Sequence, residues 1–124
     1  MLVKNIKNIA KENRYFREVL YTGPHSQLVV MSIPIGEDIG EEIHQKLDQM
    51  LVIVEGSGTA LVGAQEFTFH SGDVIYVPAG ARHNIINGTR AELKLYTVYS
   101  PAAHPLDTVH KTKADAQKEE VHEY

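Results

Sequence analysis

Glycine and proline interrupt this chain at short intervals, and the segments between them are rich in β-branched and aromatic residues. Turn signals at this spacing are typical of all-β sandwiches and barrels. The pattern predicts strands at Phe16–Tyr21, Gln27–Ile33, Ile39–His44, Gln49–Glu55, Gly58–Val62, Glu66–Phe69, Asp73–Val77, His83–Asn87 and Leu93–Ser100. One short helix is predicted before them, at Ile6–Glu12.

The 124 residues suffice for one domain, and no linker or internal repeat divides them. We predict a single domain over residues 1–124, with a barrel core at about 16–100 and a polar tail at 101–124. Two interpretations of the tail stay open. It is either mobile or loosely docked, or its segment Asp107–Lys113 packs over a barrel mouth or a neighbouring subunit.

Composition excludes several classes of function. Cysteine is absent, which rules out disulfides, thiolate nucleophiles and cysteine-ligated metals. A net charge of −4 has the wrong sign for a nucleic-acid-binding protein. No stretch approaches the ~18 apolar residues of a membrane span, and the N-terminus lacks the apolar region of a secretory signal. We therefore expect a cytoplasmic protein that binds neither nucleic acid nor membrane.

Two of the seven histidines stand where the local geometry is constrained. His83 follows the turn Pro78–Gly80, in which proline fixes φ and glycine permits a positive φ. Glu42 and His44 lie two residues apart in an extended segment, so both project from one face. Gln49 begins the next strand and can return to that face. Inside a barrel, such a polar set requires a metal or mutual hydrogen bonds.

The other histidines carry weaker signals. His25 and His70 lie at turns, and His104, His110 and His122 fall in the charged tail at spacings that match no helix or strand face. We expect all of them to be solvated surface residues rather than ligands.

Two motifs identify a resemblance. Five residues match every fixed position of G(X)5PXG(X)2H(X)3N, the second motif of the cupins: Gly72, Pro78, Gly80, His83 and Asn87. The first cupin motif, G(X)5HXH(X)3–4E(X)6G, is matched in spacing by Gly36, Glu42, His44, Gln49 and Gly56. Glu42 stands where a histidine is usual, and Gln49 stands where a glutamate is usual. The chain thus resembles small bacterial cupins over roughly residues 28–100.

The resemblance implies a double-stranded β-helix, or jelly-roll barrel, that commonly forms homodimers and holds one metal inside. Carried over by position, the metal ligands are Glu42, His44, Gln49 and His83. Two histidines and a carboxylate suit Fe(II), and Mn, Ni, Co, Zn and Cu are also admissible. Asp48 is a competing ligand, because a register slip of one residue would turn it inward in place of Gln49. The alternative is a metal-free barrel in which Glu42 pairs with a histidine and Gln49 completes the hydrogen bonds.

Strand alternation predicts the lining of the barrel. If Gln49 points inward, so do Leu51 and Ile53, and the last strand contributes Leu93, Leu95, Thr97 and Tyr99. Met50, Val52 and Val54 then face outward, where exposed apolar surface favours a homodimer. Arg17 and Arg82 are candidates for receiving an anionic substrate, with a solvated surface position as the alternative for each.

Function transfers less well than fold, because one fold supports many chemistries. We predict a metal-dependent enzyme acting on a small oxygen-rich molecule, of the sugar or sugar-acid isomerase or lyase type. Gln49 at the fourth ligand position resembles some cupins that act on unsaturated uronates. The alternatives are a metal-dependent dioxygenase and a non-catalytic module that binds a small ligand. No residue outside the ligand cluster stands out as catalytic.

Overall fold

The computed structural model describes residues 1–119. Two helices and ten strands follow one another in the order α1 (Ile6–Glu12), β1 (Arg17–Thr22), β2 (Gln27–Ile33), β3 (Glu42–Ile43), β4 (Asp48–Glu55), β5 (Ser57–Val62), β6 (Gln65–His70), β7 (Val74–Val77), β8 (Arg82–Asn87), β9 (Leu93–Ser100), β10 (Val109–His110) and α2 (Lys113–Glu119).

The strands form two antiparallel sheets. A six-stranded sheet has the order β10-β1-β2-β9-β4-β7, and a four-stranded sheet has the order β3-β8-β5-β6. Large apolar side chains from both sheets, including Met31, Leu51, Ile53, Ile85 and Leu95, form one core cluster. The predicted all-β double-stranded β-helix is therefore confirmed.

Alternation along the strands places side chains as predicted. On β4, Gln49, Leu51 and Ile53 are buried, whereas Met50 is exposed. The predicted inward residues of β9 are also buried: Leu93, Leu95, Thr97 and Tyr99. Val54 departs from the expectation of an exposed outer face, because it is buried in a second cluster with Ala10 of α1 and Val30.

The strand that carries the first candidate ligands is shorter than predicted. The sequence pattern predicts Ile39–His44, but β3 contains only Glu42 and Ile43. Gly40 adopts a φ of 109°, which interrupts the extended backbone before β3. His44 follows the strand directly.

Residues 101–119 are not a loose tail. Gln27, which is 1% exposed, holds the chain after β9. Its Oε1 accepts hydrogen bonds from the backbone N–H groups of Ala103 and His104, at 3.1 and 3.0 Å. Farther along, β10 pairs with β1, and Ala116 of α2 is buried. The interpretation of a mobile tail is thus wrong for these residues, since backbone pairing and a buried amide fix them. His122 lies outside the described residues.

Asn87 explains the last position of the second motif. Its Nδ2 lies 3.0, 3.1 and 2.8 Å from the carbonyl oxygens of Ile33, Pro34 and Ala91. Its Oδ1 accepts from the N–H and hydroxyl of Thr89. One buried amide therefore joins the end of β2 to the β8–β9 turn, and it anchors the strand that carries His83.

We predict that Asn87→Asp lowers the free energy of unfolding by at least about 2 kcal/mol. A carboxylate has the same shape but no N–H to donate, so it would place a buried charge against three carbonyl oxygens. Thr89→Ala is the matched control. It removes the hydrogen bond from the Thr89 hydroxyl to Asn87 Oδ1 and leaves the bonds donated by Asn87 Nδ2 in place. Urea unfolding measures both variants, and equal stability of Asn87→Asp and wild type would contradict this role.

Candidate metal centre

Three side chains of the predicted ligand set converge inside the barrel. The potential ligand atoms of Glu42, His44 and His83 all lie within 4.8 Å of one another. Antiparallel pairing of β3 with β8 places Glu42 directly opposite His83. His44 Nε2 is 3.8 Å from Glu42 Oε2, and the two imidazole rings are 5.3 Å apart between centroids. The spacing of these groups allows them to face one small ion.

Burial keeps the imidazoles neutral. His44 and His83 are 4% and 3% exposed. Loss of solvent, with smaller contributions from the charges of His83 and Arg17, lowers the pKa of His44 to about 4. Burial also lowers the pKa of His83, against the opposing effect of a hydrogen bond to Ala81. Because only neutral histidine coordinates a metal, both residues are in the competent form at neutral pH.

The tautomer of His83 is set by its backbone partner. Nδ1 lies 3.0 Å from the carbonyl oxygen of Ala81 and can reach it only as a donor. The lone pair therefore resides on Nε2, which is buried and has no hydrogen-bond partner within residues 1–119. Metal-binding histidines typically donate their other ring nitrogen to such a carbonyl.

The register of β4 turns Gln49 inward and Asp48 outward. Gln49 is 2% exposed, and its Nε2 donates to the Thr97 hydroxyl at 3.1 Å. Its Oε1 is buried without a hydrogen-bond partner among the described residues. Asp48 instead accepts hydrogen bonds from the Tyr76 hydroxyl and the Ala79 N–H, at 3.0 and 2.9 Å. The carbonyl oxygen of Gln49 thus faces the interior, whereas the carboxylate of Asp48 forms its hydrogen bonds at the outer surface.

Three buried residues differ from surface positions considered in the sequence analysis. Arg17, His104 and His110 are 2%, 6% and 1% exposed. The expected surface position was therefore wrong for both histidines, and the structure excludes the surface alternative for Arg17. The ring of Tyr99 lies 5.9 Å from His44 and 5.3 Å from His104. These residues meet through the pairing of β1 with β10, which no local pattern predicts.

The other surface assignments agree with the structure. His25 and His70 are exposed. Arg82 is also exposed, and its Nε is 3.0 Å from Glu41 Oε1. Of the two candidate anion-binding arginines, only Arg17 enters the barrel.

Residues 29–99 match the family model described as "Cupin domain". The chain belongs to the cupin family. It is 46% identical over 120 residues to "Uncharacterized protein YrkC" of Bacillus subtilis, covering 92% of this cupin and 64% of that relative. The cupin therefore spans less than two thirds of the length of YrkC. It is also 46% identical over 107 residues to "Uncharacterized protein L612" of Acanthamoeba polyphaga mimivirus, covering 83% of this chain and 67% of that one.

Solved structures support the fold. The crystal structure of BH2720 from Bacillus halodurans has a TM-score of 0.93 at 44% identity, with 94% of this cupin and 93% of that chain covered. KdgF from Halomonas sp. has a TM-score of 0.66 at 17% identity, with 70% and 80% covered, a likeness of fold alone. Neither helix within residues 1–119 has the length and apolar character needed to cross a membrane.

We predict that the metal-free cupin loses stability as the pH falls from about 7 to about 5. The pKa values of His44 and His104, about 4 and about 3, lie below the value near 6.5 of the unfolded chain. The unfolded state therefore binds protons first, and each of these histidines lowers the free energy of unfolding by about 2 kcal/mol over this range.

His104→Phe tests this assignment. Urea unfolding of the variant at both pH values should show a loss smaller than that of wild type by about 2 kcal/mol. His70→Phe, at an exposed position, is the control and should follow wild type. Identical pH dependence of His104→Phe and wild type would refute the burial of a neutral His104.

Proposed function

We propose that Glu42, His44, Gln49 and His83 bind one divalent first-row transition metal, and that this cupin is a metal-dependent enzyme acting on a small oxygen-rich molecule. The favoured chemistry is of the sugar or sugar-acid isomerase or lyase type. The observation that carries the proposal is the convergence of three potential ligand atoms within 4.8 Å, all in a buried site.

The donor set fits such a metal. Two neutral imidazoles, one carboxylate and one amide oxygen are ligands that Fe(II), Mn, Ni, Co and Zn accept. Buried donors without partners support the same assignment, since His83 Nε2 and Gln49 Oε1 otherwise lose hydrogen bonds to water without compensation. When bound, the metal supplies Lewis acidity that polarises an oxygen of the substrate.

The chain itself orients the donors and limits access to them. The carbonyl of Ala81 fixes the ring of His83, and the hydroxyl of Thr97 accepts from Gln49 Nε2. The side chain of Glu42 is 15% exposed, against 4% for that of His44. We infer that solvent and substrate reach the cluster from the side of Glu42, the more exposed of the two side chains.

One alternative chemistry has a specific observation in its favour. Two histidines and one carboxylate form the ligand set that non-haem Fe(II) oxygenases use with dioxygen. A dioxygenase is therefore the second candidate. A non-catalytic small-ligand module is the third, and it predicts ligand binding without turnover.

We also propose that two copies associate through exposed apolar residues at the edge where β6 and β7 lie. Phe67, Val74 and Tyr76 are 48%, 58% and 55% exposed, and Met50 is 38% exposed. Apolar patches of this kind typically mark interfaces, and a symmetric homodimer is the commonest closed arrangement.

We propose a cytoplasmic location for this cupin, and the absence of cysteine agrees with it.

The metal site predicts a graded response to substitution. His83→Ala should weaken metal affinity by at least about a hundredfold, because it removes an oriented ligand, and Gln49→Ala should weaken it by about tenfold. Calorimetric titration with Mn(II), Ni(II) and Zn(II) measures both. His70→Ala is the control at an exposed histidine. Full metal occupancy in His83→Ala would contradict the site.

Activity separates the candidate functions. We expect the metal-loaded cupin to convert a sugar acid to an isomer or elimination product without consuming dioxygen, measured by NMR of a substrate panel with an oxygen electrode in parallel. Stoichiometric oxygen uptake would instead identify the dioxygenase. Tight binding of a panel member without conversion would identify the binding module.

A further inference from the structure

Arg17 is a cation inside the barrel. It is 2% exposed, and its cross-strand neighbours are Met31 on β2 and His110 on β10, which are also buried. A guanidinium stays protonated at any pH that the protein meets. The ion pairs found within residues 1–119 do not include Arg17. No carboxylate of the described residues therefore forms a direct ion pair with the guanidinium.

The hydrogen bond of Arg17 goes to a neutral group. Its Nη1 lies 3.2 Å from Nδ1 of His110, which must accept because a guanidinium only donates. The proton of His110 then lies on Nε2, which is 2.8 Å from Oε2 of Glu119. His110 thus positions the guanidinium without neutralising it. Nε of Arg17 is buried and has no hydrogen-bond partner within residues 1–119.

A series of ring contacts connects Arg17 with the candidate metal centre. Nη1 of Arg17 contacts His110, whose ring centroid is 6.3 Å from that of His104. The ring of His104 is 5.3 Å from that of Tyr99. Tyr99 in turn lies 5.9 Å from His44.

We propose that Arg17 binds the carboxylate of the substrate, so that the substrate class is the small hydroxy or keto acids. The proposal rests on the proposed function for what happens at the other end of the molecule, where an oxygen faces Glu42, His44 and His83. A buried cation without a direct ion-pair partner is unfavourable, and a ligand carboxylate supplies such a partner. With Nη1 engaged by His110, the edge carrying Nε remains to donate to a carboxylate.

The test uses metal-free cupin, so that it does not depend on the metal site. Glycolate and its neutral analogue glycolamide are titrated separately, and NMR chemical shifts of the backbone report the dissociation constant. We expect glycolate to bind wild type at least about tenfold more tightly than glycolamide. Arg17→Met should weaken glycolate binding by about tenfold and change glycolamide binding less than about twofold. Arg90→Met, at an exposed arginine in the β8–β9 turn, is the matched control and should behave as wild type.

Arg17→Lys keeps a positive charge but loses the planar donor edge, and it should fall between wild type and Arg17→Met. If neither Arg17 variant folds, the ratio of the wild-type dissociation constants for glycolate and glycolamide still tests the proposal. Equal affinity for the two compounds would overturn the proposal, as would unchanged glycolate binding in a folded Arg17→Met. Equally tight binding of inorganic phosphate would indicate a general oxyanion site and overturn the carboxylate assignment.

The two proposals fail separately. Stoichiometric metal binding without preference for glycolate would leave the metal-dependent function intact and remove the inference about Arg17. If the protein prefers glycolate but binds no metal, the inference about Arg17 stands and the proposed metal-dependent function fails.

Discussion

The register of β4 between β7 and β9 determines what the barrel interior contains. Because successive side chains on a strand point to opposite faces, a slip of one residue would exchange every inward residue for an outward one. Hydrogen bonds from Tyr76 and Ala79 hold Asp48 on the outer surface. Gln49 must then face inward, opposite Tyr99 and beside Thr97. The same alternation buries Leu51 and Ile53, so one constraint sets both the core and the fourth candidate ligand.

Local signals sufficed for most of the fold and for the candidate metal ligands. The turn at Pro78–Gly80 and the invariant spacing of strand residues placed His83, and an interval of two residues placed Glu42 beside His44. The core strands were predicted to within two residues for the same reason, except at β3, where Gly40 interrupts the extended backbone. Each of these features depends on residues that are close in sequence.

The buried region around Arg17, His104 and His110 depends on contacts between residues that are distant in sequence. His110 pairs with Arg17 across 93 positions, and Gln27 fixes the backbone of His104 across 77. In the sequence, the segment containing both histidines is rich in charged residues and lacks an apolar face, which is typical of solvated chain. Burial there is decided by backbone pairing of β10 with β1 and by one amide, neither of which leaves a periodic signal.

The interior contains both a candidate metal centre and a buried guanidinium. Tyr99 contacts His44, one of the three potential metal ligands, and also His104, which adjoins the region of Arg17. A bound metal and a guanidinium would both attract oxygen-bearing anions, so a ligand with two such groups fits the arrangement better than one with a single group. Burying several imidazoles away from water lowers stability, and an interior tuned for binding commonly carries such a penalty.

X-ray absorption spectroscopy of the metal-loaded cupin tests the central claim most directly, because it reports the atoms around the metal in solution. The account predicts a first shell of nitrogen and oxygen at about 2.0–2.2 Å with outer-shell scattering from two imidazoles. In His83→Ala, the scattering should fall to that of one imidazole or disappear with the metal. A shell of oxygen alone, or two imidazoles that persist in His83→Ala, would contradict the assignment of the site.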